Sequence, residues 1–271
     1  TFSPDGNAIY FGVRGDGGPR GALFSISTLG GTPRRLLGDL DSAVTFSPDG
    51  RQIAFLRLRF PGNQETALMV AGADGSDPRP LATFRLPEFV AGIFHGGPSW
   101  SPDGRHVATA VGTRGGRGTE GRARLVLVGV EDGKVTTLAD PGWDFAAHCG
   151  WLPDGRSLLV VARGRDQPNS QLWSVSHPER EVRKVTNDLD DRRLVSLTAD
   201  GRTLVSVAGT LSSTIWSVPL RGTGRARRMS RATTDVNGSV AFAEDGKVVD
   251  TSASGSATGL WSTGADDAER G

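Results

Sequence analysis

Two of the four histidines, His95 and His148, stand five and three residues ahead of a tryptophan, Trp100 and Trp151. Asp41, Arg192 and Asn237 hold comparable places ahead of other short apolar segments. Five polar side chains repeated at one level of a regular fold could form a ring, and a ring of this kind binds polar ligands. Two histidines with no carboxylate at ligand spacing specify no metal geometry, so the plain reading of the ring is a hydrated mouth that holds no metal and no cofactor. His106, just after a turn, and His177, just before Pro178, read as surface residues. Cys149 is the only cysteine, which excludes an internal disulfide and a paired-thiol metal site.

Other chemistry is missing from the sequence. A protein kinase needs a glycine-rich loop with a strand lysine, an H-R-D loop and a D-F-G triplet, and none of the three occurs. The glycine-rich run at residues 114–118 has no following Lys-Ser/Thr pair to cradle phosphate. A hydrolase nucleophile elbow reads G-x-S-x-G; the nearest string, Gly255-Ser256-Ala257-Thr258-Gly259, places its serine one position early. The sequence therefore predicts a segment without catalytic residues.

What would position the polar ring is a repeat. The word "SPDGR" or a variant recurs, with Asp-Gly corners at Asp5, Asp49, Asp103, Asp154, Asp200 and Asp245, spaced 44, 54, 51, 46 and 45 residues apart. Spacings of this size denote stacked or radially repeated units. Each copy places a short apolar segment before the corner and a second directly after it, as in Val44-Thr45-Phe46 and Ile53-Ala54-Phe55. Proline pre-sets φ at the first central turn position and glycine supplies φ > 0, the chemistry of a tight hairpin. A third segment carries an apolar pair such as Leu172-Trp173 or Leu260-Trp261, and a fourth closes most copies.

Four short antiparallel strands repeated six times predict an all-β, six-bladed β-propeller. The expectation is a single domain over 1–271 with blades near 1–40, 41–85, 95–140, 146–187, 193–231 and 238–271. The last blade is incomplete, because the sequence stops soon after Leu260-Trp261. Asp250 stands where other copies have Phe11, Phe55, Thr109 and Val160; the reading favoured is a solvated outer end rather than a buried carboxylate. Since the chain starts inside the repeated word, it is expected to be an excerpt of a longer protein.

Composition agrees with turn-rich β structure: 38 glycines, 37% hydrophobic and 7% aromatic residues. With 31 basic and 30 acidic residues the net charge is +1, so no global field favours nucleic acid. No apolar run approaches the roughly 20 residues of a membrane span, and no membrane insertion is expected within the segment.

In such blades the Asp-Gly corners emerge on one face and the longer, irregular connections on the other. Those connections, at 58–66, 84–98, 112–122, 140–149, 164–170 and 187–194, carry Phe84, Phe89, Phe94, His95, Trp143, Phe145 and His148, with Arg85, Arg163, Arg165, Arg192 and Arg193 nearby. Aromatic and arginine side chains anchor protein interfaces, which predicts a protein or peptide partner here and leaves room for a small ligand at the channel mouth. The alternative is that Phe89, Phe94, Trp143 and Phe145 fold back as a roof over the ring.

The repeated word, with its following L-W-S-V segment, resembles the WD-like repeat of TolB-type propellers over essentially the whole chain. Phrases such as "LGGTPRRLLGDLDSAVTFSPDGRQIAFLR" and "QLWSVSHPEREVRKVTNDLDD" resemble more closely the propellers that follow the kinase domain in bacterial serine/threonine protein kinases. That likeness implies an extracytoplasmic sensor or docking module, tethered through sequence outside this segment. The same repeat also implies two alternatives, the accessory propeller of a prolyl-oligopeptidase-like peptidase and a free-standing TolB-like periplasmic scaffold. The last copy, "VVDTSASGSATGLWSTGADDAERG", departs from the pattern.

Overall fold

Each corner closes on itself before it meets anything else. Ser3, Ser47 and Ser101 donate their hydroxyls to Asp5, Asp49 and Asp103 at 2.5–2.6 Å, and each carboxylate accepts the backbone N–H two residues on at 3.0–3.1 Å. The hydroxyl oxygen also accepts the N–H of Ala8, Gln52 or His106 at 2.9 Å. The glycines at 6, 50, 104, 155 and 201 all have φ between 66° and 75°, a region that costs a side chain energy and glycine almost none. Thr198 and Asp200 repeat the clamp in the fifth copy, whereas Leu152 leaves Asp154 with only the Arg156 N–H.

The chain is seen in a computed structural model that describes residues 1–13, 21–91, 96–113, 121–165, 167, 169–198, 200–209, 215–220, 225–229, 240–245, 247–254 and 257–263. All regular structure among them is β. The contacts divide the chain into a first unit, Thr1–Arg165 with Asn169–Ala208, and a second built chiefly from Gly209–Gly271.

In the first unit, β1 (Ala8–Val13), β2 (Gly21–Ser27) and β3 (Arg34–Leu40) make an antiparallel sheet, with Phe2 bridging Ile9 as its innermost element. A four-stranded sheet follows: β4 (Thr45–Phe46), β5 (Gln52–Leu58), β6 (Glu65–Gly72) and β7 (Arg79–Arg85). The third and fourth repeats share one sheet of β8 (Glu88–Val90), β9 (Ser99–Trp100), β10 (His106–Thr113), β11 (Arg122–Gly129), β12 (Val135–Trp151), β13 (Ser157–Gly164), β14 (Gln171–Ser176) and β15 (Val182–Lys184). The pair β16 (Asp191–Leu197) and β17 (Leu204–Gly209) comes next. The second unit holds the short pair β18 (Trp216–Ser217) and β19 (Arg227–Arg228) and the three-stranded sheet of β20 (Val240–Phe242), β21 (Val248–Ser254) and β22 (Ala257–Thr263). Asp250 lies on β21, opposite Val240 and Trp261.

Two expectations change here. Residues 140–149 are not an irregular connection, because β12 runs unbroken for 17 residues and pairs with β11 at one end and β13 at the other. Residues 84–98 likewise contain β8, which pairs with β10 beyond β9. The alternating apolar pattern that marks a strand was masked there by Asp140, Pro141 and Gly142 in one segment and by glycines in the other.

The core lies between successive sheets. Along β5, Ile53 and Phe55 pack toward the first sheet while Ala54 and Leu56 pack toward the third repeat. Along β13, Leu158, Val160 and Ala162 face the third repeat, and Leu159 and Val161 face Val195 of β16. Side chains of a strand alternate faces, so a stretch buried on both faces is apolar at successive positions, as Ile53–Leu56 and Leu158–Ala162 are. Each such large side chain contributes about 1.5–3 kcal/mol.

At the corners the repeats touch directly. A Cβ built on Gly50, Gly104, Gly155 or Gly201 would lie 3.3, 3.8, 4.0 or 3.0 Å from Pro4, Pro48, Pro102 or Pro153, the proline of the preceding corner. Further in, the Trp100 N–H donates to Thr45 Oγ1 at 3.2 Å and the Trp151 N–H to Ser99 Oγ at 3.1 Å.

Hydrogen bonds from Ser3, Ser47 and Thr198 hold the Asp5, Asp49 and Asp200 carboxyls, respectively, below their ordinary range. A carboxyl held low in the fold stabilises fully above the unfolded-state pKa and loses that contribution as pH falls through the folded value. Urea midpoints are therefore expected to fall once pH drops below about 4. Ser47→Ala is expected to cost about 1 kcal/mol at pH 7, read by the same titration.

Candidate functional site

The level of the predicted polar ring is built where the inner segments of neighbouring repeats meet. Between Val90, opposite Val111, and Ser99, opposite Ala108, the chain is longer than the stretch of β10 it faces. The surplus includes Gly96 and Gly97, which wedge between two neighbours. The Ala43 N–H donates to the Gly96 carbonyl at 3.0 Å, and a Cβ on Gly97 would lie 2.7 Å from the Ala43 carbonyl oxygen. A Cβ on Gly96 would lie 2.7 Å from His148 Cβ. Only glycine allows this approach.

The ring residues that the structure describes are held by structural contacts. Asp41 is 7% exposed; its Oδ2 accepts the Leu58 N–H at 2.8 Å, next to Ser42 Oγ, which accepts the Leu56 N–H at 2.9 Å. Side chains thus replace the backbone ladder at that end of β5. The His148 ring hydrogen-bonds the Val195 backbone, its Nδ1 is buried without a partner, and burial pulls its pKa below the usual imidazole value. Arg192 bonds Asp188 at 2.5 Å and lies 3.9 Å from Asp190, while Arg193 lies 3.4 Å from Asp191. His95 and Asn237, the other ring positions, and Phe94 lie outside the described residues.

Among the other predicted anchors, Trp143 does not reach the surface. It is 1% exposed, opposite both Ala123 and Gly164, with Trp173 edge-on at 5.8 Å. Phe89 is half-buried, packs against the same core and lies over Gly112, where a Cβ would sit 2.8 Å from its ring. Phe145 and Arg163 do come together. They are paired across β12 and β13, with the guanidinium 5.8 Å from the ring centroid and 3.0 Å from the Asp144 carboxylate. Beside them, at the same end of the sheet, Arg124 meets Glu88 at 2.6 Å.

This end of the eight-stranded sheet is the one remote from the Asp-Gly corners. The four ion-pair members are 24–39% exposed, so they can exchange partners without leaving a buried charge. Nucleophilic chemistry finds little support. Burial pushes the Cys149 thiol up to about 12, and its Sγ approaches the Ala108 carbonyl at 3.6 Å. Among the described residues no three His, Cys, Asp or Glu side chains converge as metal ligands.

Sequence reading missed a second grouping. His106 and His177 are not simple surface residues, since their rings lie 6.3 Å apart, half-buried, and His177 stands edge-on to Trp151 at 5.4 Å. Aligning the repeats position by position would have marked both as the only imidazoles at their places in the repeat.

No protein-family model matches the sequence, and no curated protein sequence matches it. Solved structures do match its fold. TolB from Acinetobacter baumannii superposes with a TM-score of 0.59 at 18% identity, covering 97% of this chain and 62% of that one. An oligogalacturonate lyase in complex with manganese gives a TM-score of 0.56 at 16% identity, covering 93% and 69%. The β-propeller domain of the Trilobed protease from Pyrococcus furiosus, which has an open velcro topology, gives 0.51 at 14%, covering 99% and 82%. The chain therefore spans under two thirds of the TolB chain it matches. At these identities the likeness is one of fold, and the fold is an all-β propeller.

His148 provides a titration test. Its pKa is lowered in the fold, so the unfolded chain binds a proton more readily and stability declines as pH falls below about 6.5 toward the folded value. His148→Gln is expected to flatten chemical-denaturation stability between pH 7 and 5. Trp143→Ala is expected to cost about 3–5 kcal/mol in the same assay, against about 1 kcal/mol or less for Phe145→Ala.

Proposed function

We propose that this propeller is a non-catalytic binding module that docks a protein or peptide through the sheet end remote from its corners. The observation that carries the reading is the Phe145–Arg163–Asp144 group beside the Arg124–Glu88 pair. An aromatic ring under a guanidinium, flanked by exchangeable ion pairs, is the composition of an interface hot spot. Phe89 and Arg193 extend the surface, and Asp41, His148 and Arg192 support it from within.

The context favoured is the extracytoplasmic sensor or docking region of a bacterial serine/threonine kinase, organised as six blades. It rests on the sequence phrases that resemble those propellers, and no described helix is long and apolar enough to cross a membrane, so tethering would come from sequence outside this segment. The fold likeness to the Trilobed protease propeller favours a second reading, an accessory propeller of a peptidase. The coding sequence on either side separates the two. A kinase domain followed by a membrane span supports the first, and a hydrolase domain with a G-x-S-x-G elbow supports the second.

Docking is tested by placing the photo-crosslinking residue p-benzoylphenylalanine at position 145 or at position 51, on the corner face, in the parent protein expressed in its host. A discrete adduct at 145 that is lost with Arg163→Glu and Arg124→Glu, and is missing at 51, is the expected result. Equal adducts at both positions, or none at 145, would exclude this face.

A further inference from the structure

On the opposite face, between the third and fourth corners, lies a cleft of about 380 Å³ whose lining includes Asp103, His106, Trp151, Asp154 and His177. We infer that it binds an organic cation, a guanidinium or ammonium group carried on a short chain. The inference stands apart from the docking surface above.

The cleft exists because three local rules of the repeat are broken together. First, the corner contact is widest here: a Cβ on Gly155 would lie 4.0 Å from Pro102, against 3.0–3.8 Å at the other corners. Second, the position three after the corner aspartate is Ala8, Gln52, Ser157 or Thr203 in other repeats but His106 in the third. The residue whose N–H closes the hairpin onto the corner strand is Thr28, Ala73 or Val130 elsewhere but His177 in the fourth. Third, Leu152 replaces the corner hydroxyl, so Asp154 accepts only the Arg156 N–H, at 2.9 Å through Oδ1. Its second oxygen is left for a ligand.

Trp151 departs from its sibling in the same way. Trp100 donates its indole N–H to the Gly104 carbonyl at 3.2 Å, whereas the Trp151 indole N–H has no acceptor and its ring is set by His177 instead. Three aromatic rings and two carboxylates therefore line one cleft, and no lysine or arginine lines it; Arg105 and Arg156, next along the corners, are exposed outside it. Carboxylates attract a cation by charge, the Trp151 ring face by its quadrupole, and imidazole nitrogens can accept a guanidinium or ammonium N–H, which together select positive groups over neutral or anionic ones. A bare metal ion fits less well. The imidazole centroids are 6.3 Å apart, and among the described residues no third ligand converges with them. The volume lies at the small end of the roughly 300–1,000 Å³ of ligand pockets, a size that suits a charged headgroup with a few carbons.

The test is ligand-observed NMR and calorimetry on the 271-residue chain at pH 8 and low salt, with agmatine, L-arginine amide, a short arginine-containing peptide, acetate and nickel ion as probes. Saturable binding of the cationic organic probes, with acetate inert, is expected. Asp154→Asn should weaken it about tenfold, and Asp103→Asn with Asp154→Asn should abolish it. Asparagine Oδ1 can still accept the Arg156 N–H, so an unchanged melting temperature confirms that the corner stays folded. Agmatine binding as tightly as the peptide identifies a small-molecule site; a peptide at least tenfold tighter identifies a side chain of a protein partner. No saturation at 10 mM, unchanged affinity in Asp154→Asn, or stoichiometric nickel binding that displaces arginine amide would overturn the assignment.

Discussion

The contact on which the rest of the first unit depends is the one between a corner proline and the glycine of the next corner. Glycine is required there for its positive φ, and at Gly50 and Gly201 a Cβ would also crowd the neighbouring pyrrolidine, at 3.3 and 3.0 Å. The same contact sets how closely successive sheets stand, and that spacing lets one strand bury both faces. It also brings the Thr45 and Ser99 hydroxyls under the backbone of the next repeat's tryptophan. The hydroxyl–aspartate clamp braces the corners at Asp5, Asp49, Asp103 and Asp200 in this geometry. The words of the fifth and sixth repeats, Thr198-Ala199-Asp200 and Ala243-Glu244-Asp245, have no proline to offer.

With the corners committed to packing, polar chemistry has little freedom near the centre. Asp41 completes a strand, His148 bonds a neighbouring backbone and Cys149 is sealed in the core. These residues hold repeats together. At the sheet end remote from the corners stand the partly exposed, exchangeable pairs Arg163–Asp144 and Arg124–Glu88. The corner pattern changes between the third and fourth repeats, where His106 and His177 come together and Leu152 stands in place of the corner hydroxyl.

The repeat and its hairpins were legible in the sequence because Pro-Asp-Gly has one physical use at that spacing. Strands buried on both faces, such as Ile53–Leu56, were legible as unbroken apolar runs. The site was less so. Trp143 reads as a binding anchor when 140–149 is taken for a loop, and becomes core once that stretch is seen as a strand whose neighbours on both sides cover it. His106 and His177 lie 71 positions apart in sequence and meet only because the third and fourth repeats pack side by side. Tertiary proximity of this kind leaves no local periodicity to read.

The unbroken course of β12 has a consequence for how the chain tolerates rearrangement. The third and fourth repeats are joined by a strand whose first half pairs with β11 and whose second half pairs with β13, the two ladders meeting at Trp143. New termini or an inserted domain at this junction would interrupt the strand that ties the two ladders together at Trp143, while the same operation beside Leu29, almost fully solvent-exposed, falls in a turn outside any ladder. The two repeats thus form an indivisible segment for circular permutation and for recombination between related genes.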